Sequence, residues 1–181
     1  MRKNLVLPKS RSSQKRGFSL IELLIVVAII LIIAAIAIPN FLRSKIAANE
    51  SSAVASLRTI STAETTYASS WGVGYAPALG NLGGPIPCAT ATPVAACLVD
   101  PLLTSGANVK SGYSFAAVGN TPAGGVNTGF EANATPISVD VTGKRAFCVD
   151  QSGVLRANTT GVTIGTGVGS CAAAGALIIG Q

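Results

Sequence analysis

The sequence predicts an α+β fold in which one long N-terminal helix packs on a small antiparallel sheet. Three observations lead to this prediction. An apolar run occupies residues 18–38, and an amphipathic helical pattern continues from it to about residue 70. Short strand-like segments separated by turn sequences then fill residues 113–157. The 181 residues are enough for this helix and one small domain.

The apolar run is long enough to cross a membrane. From Phe18 to Ile38 there are 21 residues, of which only Ser19 and Glu22 are polar. A helix of that length spans about 31 Å, close to the thickness of a bilayer's hydrocarbon core. An ionised side chain in lipid costs roughly 2.5 to 3.5 kcal/mol and usually has a functional partner. We therefore expect a membrane span in which Glu22 has a specific role.

The excess positive charge lies in the segment before the span. The chain has a formal charge of +6, and six of its 13 bases precede Gly17 in a stretch without acids: Arg2, Lys3, Lys9, Arg11, Lys15 and Arg16. Removing these six leaves seven bases against seven acids. A neutral remainder argues against a nucleic-acid-binding surface, which needs clustered bases on the folded protein. The basic segment instead predicts a cytoplasmic N-terminus.

A basic segment ahead of an apolar run is also typical of a secretory signal peptide. In a signal peptide the small residue of the cleavage site follows the apolar core, whereas here Gly17 precedes it. The stretch Gly17–Leu24, Gly-Phe-Ser-Leu-Ile-Glu-Leu-Leu, resembles the processing site of type IV prepilins and of the related pseudopilins of type II secretion. It departs from their pattern only conservatively, with Ser at position 19. The resemblance extends from Lys15 to about Ala55 and implies the pilin fold.

The resemblance implies how the N-terminus is processed and used. A prepilin peptidase would cleave between Gly17 and Phe18, and the new Phe18 amine would be N-methylated. Glu22 would then guide assembly of identical subunits into a helical filament. The implied partners are those subunits, the peptidase, the inner-membrane assembly machinery and, before assembly, membrane lipid. The implied location is the bacterial inner membrane, crossed once with the N-terminus in the cytoplasm, and afterwards an extracellular filament. No cofactor or metal is implied.

A physical reason supports the role of Glu22. Cleavage would leave a cationic amine on Phe18, and Glu22 lies four residues later, one helical turn along the same face. In a bundle of such helices, the carboxylate of one subunit could meet the amine of a displaced neighbour, and buried charges are tolerated when they are paired. The alternative is an incidental polar residue near the lipid headgroups.

Pro39 is predicted to kink the helix rather than end it, as in the kinked helix of the pilin family. Residues 40–71 continue with apolar side chains at helical spacing, among them Ile60 and Tyr67. We expect one helix of roughly 80 Å that ends near Ser70 and whose second half packs under a sheet. The chain thus divides into a leader (1–17), a membrane and filament-core helix (18–39), an amphipathic continuation (40–71) and a globular head (72–181).

The head is predicted to begin with a loop and to end in an antiparallel meander. Residues 72–110 are rich in Gly, Ala, Pro and Thr, which predicts a loop region with a short helix near Leu98–Leu103. A long loop is expected at 120–128, and a last irregular strand in the tail after residue 157. Four strands are predicted: Tyr113–Val118, Ile137–Val141, Arg145–Val149 and Val154–Ala157.

The four cysteines, Cys88, Cys97, Cys148 and Cys171, all lie in the head. An even number on the oxidising side of the membrane predicts disulfides, with three possible connectivities. We favour sequential pairing, which closes the Pro-rich loop and links the Gly-rich tail to a strand. Free buried thiols are the alternative. A zinc site is disfavoured because the chain has no His and no Cys-x-x-Cys spacing.

The residue types argue for a structural protein and against an enzyme. Without His and with few acids, no nucleophile and base can be assembled into a catalytic set. Together with the prepilin resemblance, this predicts a structural subunit of a type IV pilus, and the resemblance implies that the filament serves adhesion, motility or DNA uptake. A pseudopilin of a type II secretion system is the alternative, since it shares the N-terminal signature. The absence of an acidic calcium-binding cluster favours the pilin.

Overall fold

A computed structural model describes residues 17–104, 106–120, 124–167, 169–173 and 176–179. Contacts divide the chain into two units, with the boundary between Asn40 and Phe41. The predicted leader lies outside the described residues, apart from Gly17.

One helix, α1, runs from Leu20 to Trp71 and confirms the predicted long helix. In the first unit, every large apolar side chain from Leu20 to Ile38 is exposed. By length and composition, this helix is able to cross a membrane. Pro39 lies inside α1, where its missing N–H leaves the carbonyl of Ala35 without the usual helical partner. The helix therefore continues through Pro39, and a kink there remains a prediction.

In the second unit, α1 buries the apolar stripe that its sequence pattern predicts. Leu57, Ile60 and Tyr67 are at most 2% exposed and belong to the hydrophobic core of the head. The Tyr67 ring lies 4.9 Å from that of Trp71, and its hydroxyl donates to the carbonyl of Pro93 at 2.7 Å. The two aromatic side chains thus serve in core packing, as predicted. Gly72, with φ +64°, ends the helix in the left-handed conformation typical of a residue just past a helix C-terminus.

The sheet of the head is a six-stranded antiparallel meander in the order β1 to β6. Its strands are β1 Val109–Lys110, β2 Tyr113–Asn120, β3 Gly129–Pro136, β4 Ala146–Asp150, β5 Leu155–Asn158 and β6 Leu177–Ile178. Within the described residues, three short helices accompany it: α2 Leu79–Leu82, α3 Pro101–Thr104 and α4 Ser170–Ala173. The antiparallel fold class, the short helix in the loop region and the tail strand were all predicted from sequence.

The predicted strand Ile137–Val141 is wrong. These residues form bends and turns, and the exposed fractions of Ile137, Val139 and Val141 are 57%, 45% and 65%. The strand is instead β3, which ends at Pro136. Because β3 is buried at nearly every position and is built largely from small and polar residues, it shows no alternation of apolar and polar side chains. The tail covers it through a hydrogen bond from Asn133 Nδ2 to the carbonyl of Gly165 at 2.9 Å.

Both disulfides have the predicted sequential pairing, Cys88–Cys97 and Cys148–Cys171. The first closes a loop within residues 83–104. The second joins β4 to α4 across 23 residues of sequence and is fully buried beside Ile164. Closing a loop of that length stabilises a fold by about 3 kcal/mol in the chain-entropy account. This disulfide holds the Gly-rich tail against the sheet.

Candidate assembly site and polar contacts of the helix

The first turn of α1 is organised by Glu22. The backbone N–H of Ser19 donates to Glu22 Oε2 at 2.9 Å, and the N–H of Leu23 donates to the carbonyl of Ser19 at 3.2 Å. Ser19 is therefore the N-cap residue, and Glu22, three positions later, makes the carboxylate contact of a capping box. A carboxylate here also compensates for the unpaired N–H groups and positive dipole of the helix start. Glu22 thus has a local function in its own helix.

This capping function was missed, although its signal was in the sequence. Ser-x-x-Glu directly before an apolar run is the capping-box pattern. The two interpretations of Glu22 are compatible, because Oε1 makes no hydrogen bond with the described residues while Oε2 serves the cap. One carboxylate can therefore cap its own helix through Oε2 and accept a hydrogen bond from another group through Oε1.

The predicted processing residues lie immediately before this cap. Gly17 and Phe18 are in non-helical backbone, and Phe18 is 82% exposed. Among the described residues, a Cβ placed on Gly17 would meet no heavy atom within 4 Å apart from those of its chain neighbours. The structure thus places Gly17 and Phe18 just before α1 and Glu22 in its first turn. Cleavage, methylation and assembly at these residues remain predictions.

A second polar site, the Glu50 cluster, consists of Glu50, Lys144 and Arg145. Glu50 Oε1 accepts the backbone N–H groups of Lys144 and Arg145, both at 3.0 Å. Its Oε2 accepts Nε and Nη2 of Arg145 at 2.8 and 2.7 Å. Burial raises the pKa of Glu50, but the hydrogen bonds from the Arg145 guanidinium and the two backbone N–H groups outweigh it and lower the pKa below its usual value.

Further hydrogen bonds join the same part of α1 to the head. Asn49 Nδ2 donates to the carbonyl of Thr142 at 2.8 Å, and the hydroxyls of Ser52 and Ser111 are 2.9 Å apart. On the far side of the Glu50 cluster, the Tyr113 hydroxyl donates to the carbonyl of Arg145 at 2.8 Å. Together these contacts attach α1 to the segment between β3 and β4 and to the turn between β1 and β2.

The turn between β4 and β5 is held by an ion pair within the head. Arg156 Nη1 lies 2.9 Å from Asp150 Oδ2, and Asp150 Oδ1 accepts the N–H of Ser152 at 2.9 Å and also its hydroxyl. Burial raises the pKa of Asp150, but the bonds from Ser152 and the charge of Arg156 lower it overall. These contacts hold the predicted hairpin in place.

Glu64 is a buried carboxylate that the sequence pattern did not single out. It is 0% exposed; Oε2 accepts the N–H of Ala76 at 2.8 Å, and Oε1 has no hydrogen-bond partner among the described residues. Burial raises the pKa of Glu64 to about 7, against the lowering effect of the Ala76 hydrogen bond. The core that α1 shares with the head therefore contains an acid that changes charge near neutral pH.

This carboxylate predicts that the stability of the head falls as the pH rises. The folded pKa of about 7 exceeds the usual glutamate pKa of 4.5, so the unfolded chain loses the proton at a lower pH than the folded chain. The contribution of Glu64 is complete below pH 4.5 and falls by about 3 kcal/mol by pH 7, at 1.36 kcal/mol per pKa unit. Thermal melting of the full chain in detergent at pH 5 and pH 8 should show this loss. Glu64→Gln should remove it, and an equal loss in the variant would contradict the assignment.

The described residues hold no group of three His, Cys, Asp or Glu side chains that could bind a metal ion. The polar sites are instead ion pairs, caps and buried carboxylates.

Comparison with known proteins bears on the N-terminal site. Residues 12–38 match the family described as the prokaryotic N-terminal methylation motif. The matched residues include the predicted processing residues Gly17 and Phe18 and the predicted assembly residue Glu22. The chain is also similar to the type IV major pilin protein PilA of Myxococcus xanthus (strain DK1622), with 43% identity over 79 residues. That match covers 39% of this chain and 36% of the relative, so the chain spans about a third of the relative's length. No solved structure matches the chain significantly.

The prepilin motif and the fold point in the same direction. The motif leads directly into the exposed apolar part of α1, and the same helix packs on a six-stranded antiparallel sheet farther along. This is a pilin-like α+β arrangement with two disulfides in the head. These findings support a type IV pilin.

Proposed function

We propose that this chain is a structural subunit of a type IV pilus. It is inserted in the inner membrane as a prepilin, cleaved between Gly17 and Phe18, N-methylated, and polymerised through α1 into an extracellular filament. The observation that carries the proposal is the methylation motif joined to the exposed apolar run, residues 18–38, whose one acid, Glu22, lies a turn after Phe18. The similarity to a type IV major pilin favours a pilus over a type II secretion pseudopilus.

Cleavage would supply the charge that Glu22 needs from a neighbour. In the uncleaved chain the nitrogen of Phe18 is a neutral peptide nitrogen, whereas the processed chain carries an ammonium there. Each subunit then has one cation at Phe18 and one carboxylate at Glu22. A neighbour displaced by about one turn brings its Phe18 amine to Oε1 of Glu22, which makes no hydrogen bond with the described part of its own chain. Such head-to-tail pairing leaves an unpaired charge on the last subunit at the growing end. Where the rotation between successive subunits does not close into a ring, it produces an open helical filament.

In an apolar helix, the pairing of Phe18 with Glu22 contributes strongly to the free energy of assembly. The side chains from Leu20 to Ile38 are exposed in the subunit and would be covered by lipid before assembly and by other α1 helices afterwards. Moving them between two apolar surroundings changes their free energy little, so close packing and polar contacts must favour the filament. An unpaired charge in that core costs several kcal/mol, which disfavours wrong registers.

The head would form the outer surface of the filament. Its two disulfides suit exposure to an oxidising exterior, and its attachment to α1 is secured by the Glu50 cluster. Adhesion, motility or DNA uptake would be served by this surface.

The proposal is tested by electron microscopy and mass spectrometry of filaments sheared from cells. Abundant long fibres whose subunits begin with a methylated Phe18 are the expected result. Protein confined to the cell envelope would favour the pseudopilus, and fibres that retain residues 1–17 would contradict the processing step. Gly17→Val should block cleavage and filament formation. Gly167→Val is the matched control, since a Cβ there meets no heavy atom within 4 Å and its φ is not positive.

A further inference from the structure

A groove of about 380 Å³ opens beside the Glu50 cluster. Arg43, Ile46 and Ala47 of α1 form one wall, and the segment between β3 and β4 forms the other. The lining residues are Arg43, Ile46, Ala47, Glu50, Asp140, Lys144 and Arg145. The groove thus combines a charged rim with an apolar helical wall.

The groove has uncompensated positive charge. Glu50 is occupied by Arg145, which leaves Asp140 as the other acid in the lining. The side chains of Arg43 and Lys144 are exposed and have no ion pair or hydrogen bond with any part of the chain that the structure describes. Lys45, also exposed, lies two residues after Arg43. An anion would therefore be attracted here without displacing an internal partner.

The position along the chain relates this charge to a membrane surface. Arg43 follows Ile38, the last residue of the apolar run, by five residues, so the chain keeps it within about 17 Å of that residue. The intervening Phe41 and Leu42 are exposed apolar side chains. Bases after the span do not help to keep the N-terminus in the cytoplasm, since the leader already carries six. Their presence on this side calls for another explanation.

We propose that the groove binds the phosphate of an anionic phospholipid headgroup while the chain resides in the membrane. Arg43 and Lys144 contact the phosphate, while the acyl chains of the lipid stay in the bilayer, on the side of Arg43 where the apolar run lies. The proposal rests on the membrane stage of the proposed function and not on polymerisation. A second copy of the chain is a poorer occupant, because four of the seven acids that follow the leader are buried: Glu50, Glu64, Glu131 and Asp150.

The test uses the full chain in nanodiscs containing equal amounts of phosphatidylglycerol and phosphatidylcholine, with native mass spectrometry of the lipids that stay bound. Wild type should retain phosphatidylglycerol preferentially. Arg43→Gln with Lys144→Gln should reduce that retention about 30-fold, from the usual contribution of two bases near a charged surface. Arg58→Gln with Lys110→Gln removes the same charge elsewhere and should change it less than about twofold.

Four outcomes would overturn the proposal. These are equal retention of the two lipids by wild type, an equal loss in the control variant, displacement of the lipid by inorganic phosphate alone, and a groove variant that keeps the lipid but loses cross-links between chains. The last would assign the groove to a second copy. Because the measurement is made on chains in nanodiscs, it does not depend on filaments. Lipid binding without filaments would contradict only the pilus proposal. Filaments without lipid binding would contradict only the proposed lipid site.

Discussion

A chain carrying Glu22→Gln is expected to enter the membrane and keep its helix but to form filaments at less than about 1% of the wild-type level. Glutamine is nearly isosteric and keeps an oxygen that can accept the N–H of Ser19, so the cap at the start of α1 survives. It cannot balance the ammonium of a neighbour's Phe18. Leaving one member of a buried ion pair unpaired costs about 3 to 5 kcal/mol, which is more than about 100-fold per contact.

Comparison with Glu22→Val separates the two functions of this carboxylate. Valine removes both the cap and the charge, whereas glutamine removes only the charge. If capping were the whole contribution of Glu22, the glutamine variant would still form filaments and only the valine variant would fail. Membrane fractionation should show both variants inserted, and microscopy of sheared filaments would measure assembly. Normal filaments from Glu22→Gln would contradict the pairing of Glu22 with Phe18.

The second large effect is expected from Glu50→Gln, which should lower the free energy of unfolding of the head by about 3 to 4 kcal/mol. The carboxylate accepts four hydrogen bonds, two on each oxygen. The glutamine side chain has one oxygen and one NH₂ group. The NH₂ group would face either the backbone N–H groups of Lys144 and Arg145 or the Arg145 guanidinium, and in both cases two hydrogen-bond donors would face each other. The Arg145 side chain is 43% exposed, so solvent screens the ionic part and the backbone donors supply much of the loss.

Chemical unfolding of the full chain in detergent at pH 7, with both disulfides intact, measures this effect. Asp140→Asn is the matched control, because Asp140 is exposed and asparagine tolerates its φ of +63°. That control should change the stability by less than about 0.5 kcal/mol. The pKa of Glu50 is lowered in the fold, so its contribution is present above the unfolded value of 4.5 and is lost as the pH falls through the folded pKa. Equal stability of the two variants would show that the Glu50 cluster does not hold the head on α1.

The N-terminal half of the chain was predictable because its signals are local. The apolar run and the Gly-Phe-Ser-Leu-Ile-Glu motif are contiguous in sequence, and the structure and the family match bear them out. The cap by Glu22 was equally local and was readable from Ser19 and Glu22 alone. The disulfide pairing was also predicted correctly, since each pair is close in sequence and closes one loop.

The errors in the head have one cause, which is that burial came from distant parts of the chain. The alternation in Ile137–Val141 predicted a half-buried strand, yet those side chains are exposed because the chain turns after Pro136. The true strand β3 lacks an apolar pattern, since it is built largely from small and polar residues and is buried at nearly every position, in part under the tail that Cys148–Cys171 holds in place. Periodicity reports burial only when one face of a segment meets water.

The sequence by itself determined the membrane-competent helix, the N-terminal motif and the fold class and favoured the observed disulfide pairing, because each depends on composition or on residues close together in the chain. The tertiary structure alone decided which polar groups became structural. Glu50 meets donors 94 and 95 residues away, and Glu64 is enclosed by a core whose strands lie far along the chain. On a helical projection both are ordinary polar residues. Whether a carboxylate ends in water, in an ion pair or in an apolar core is set by what packs against it, and that is a long-range property of the fold.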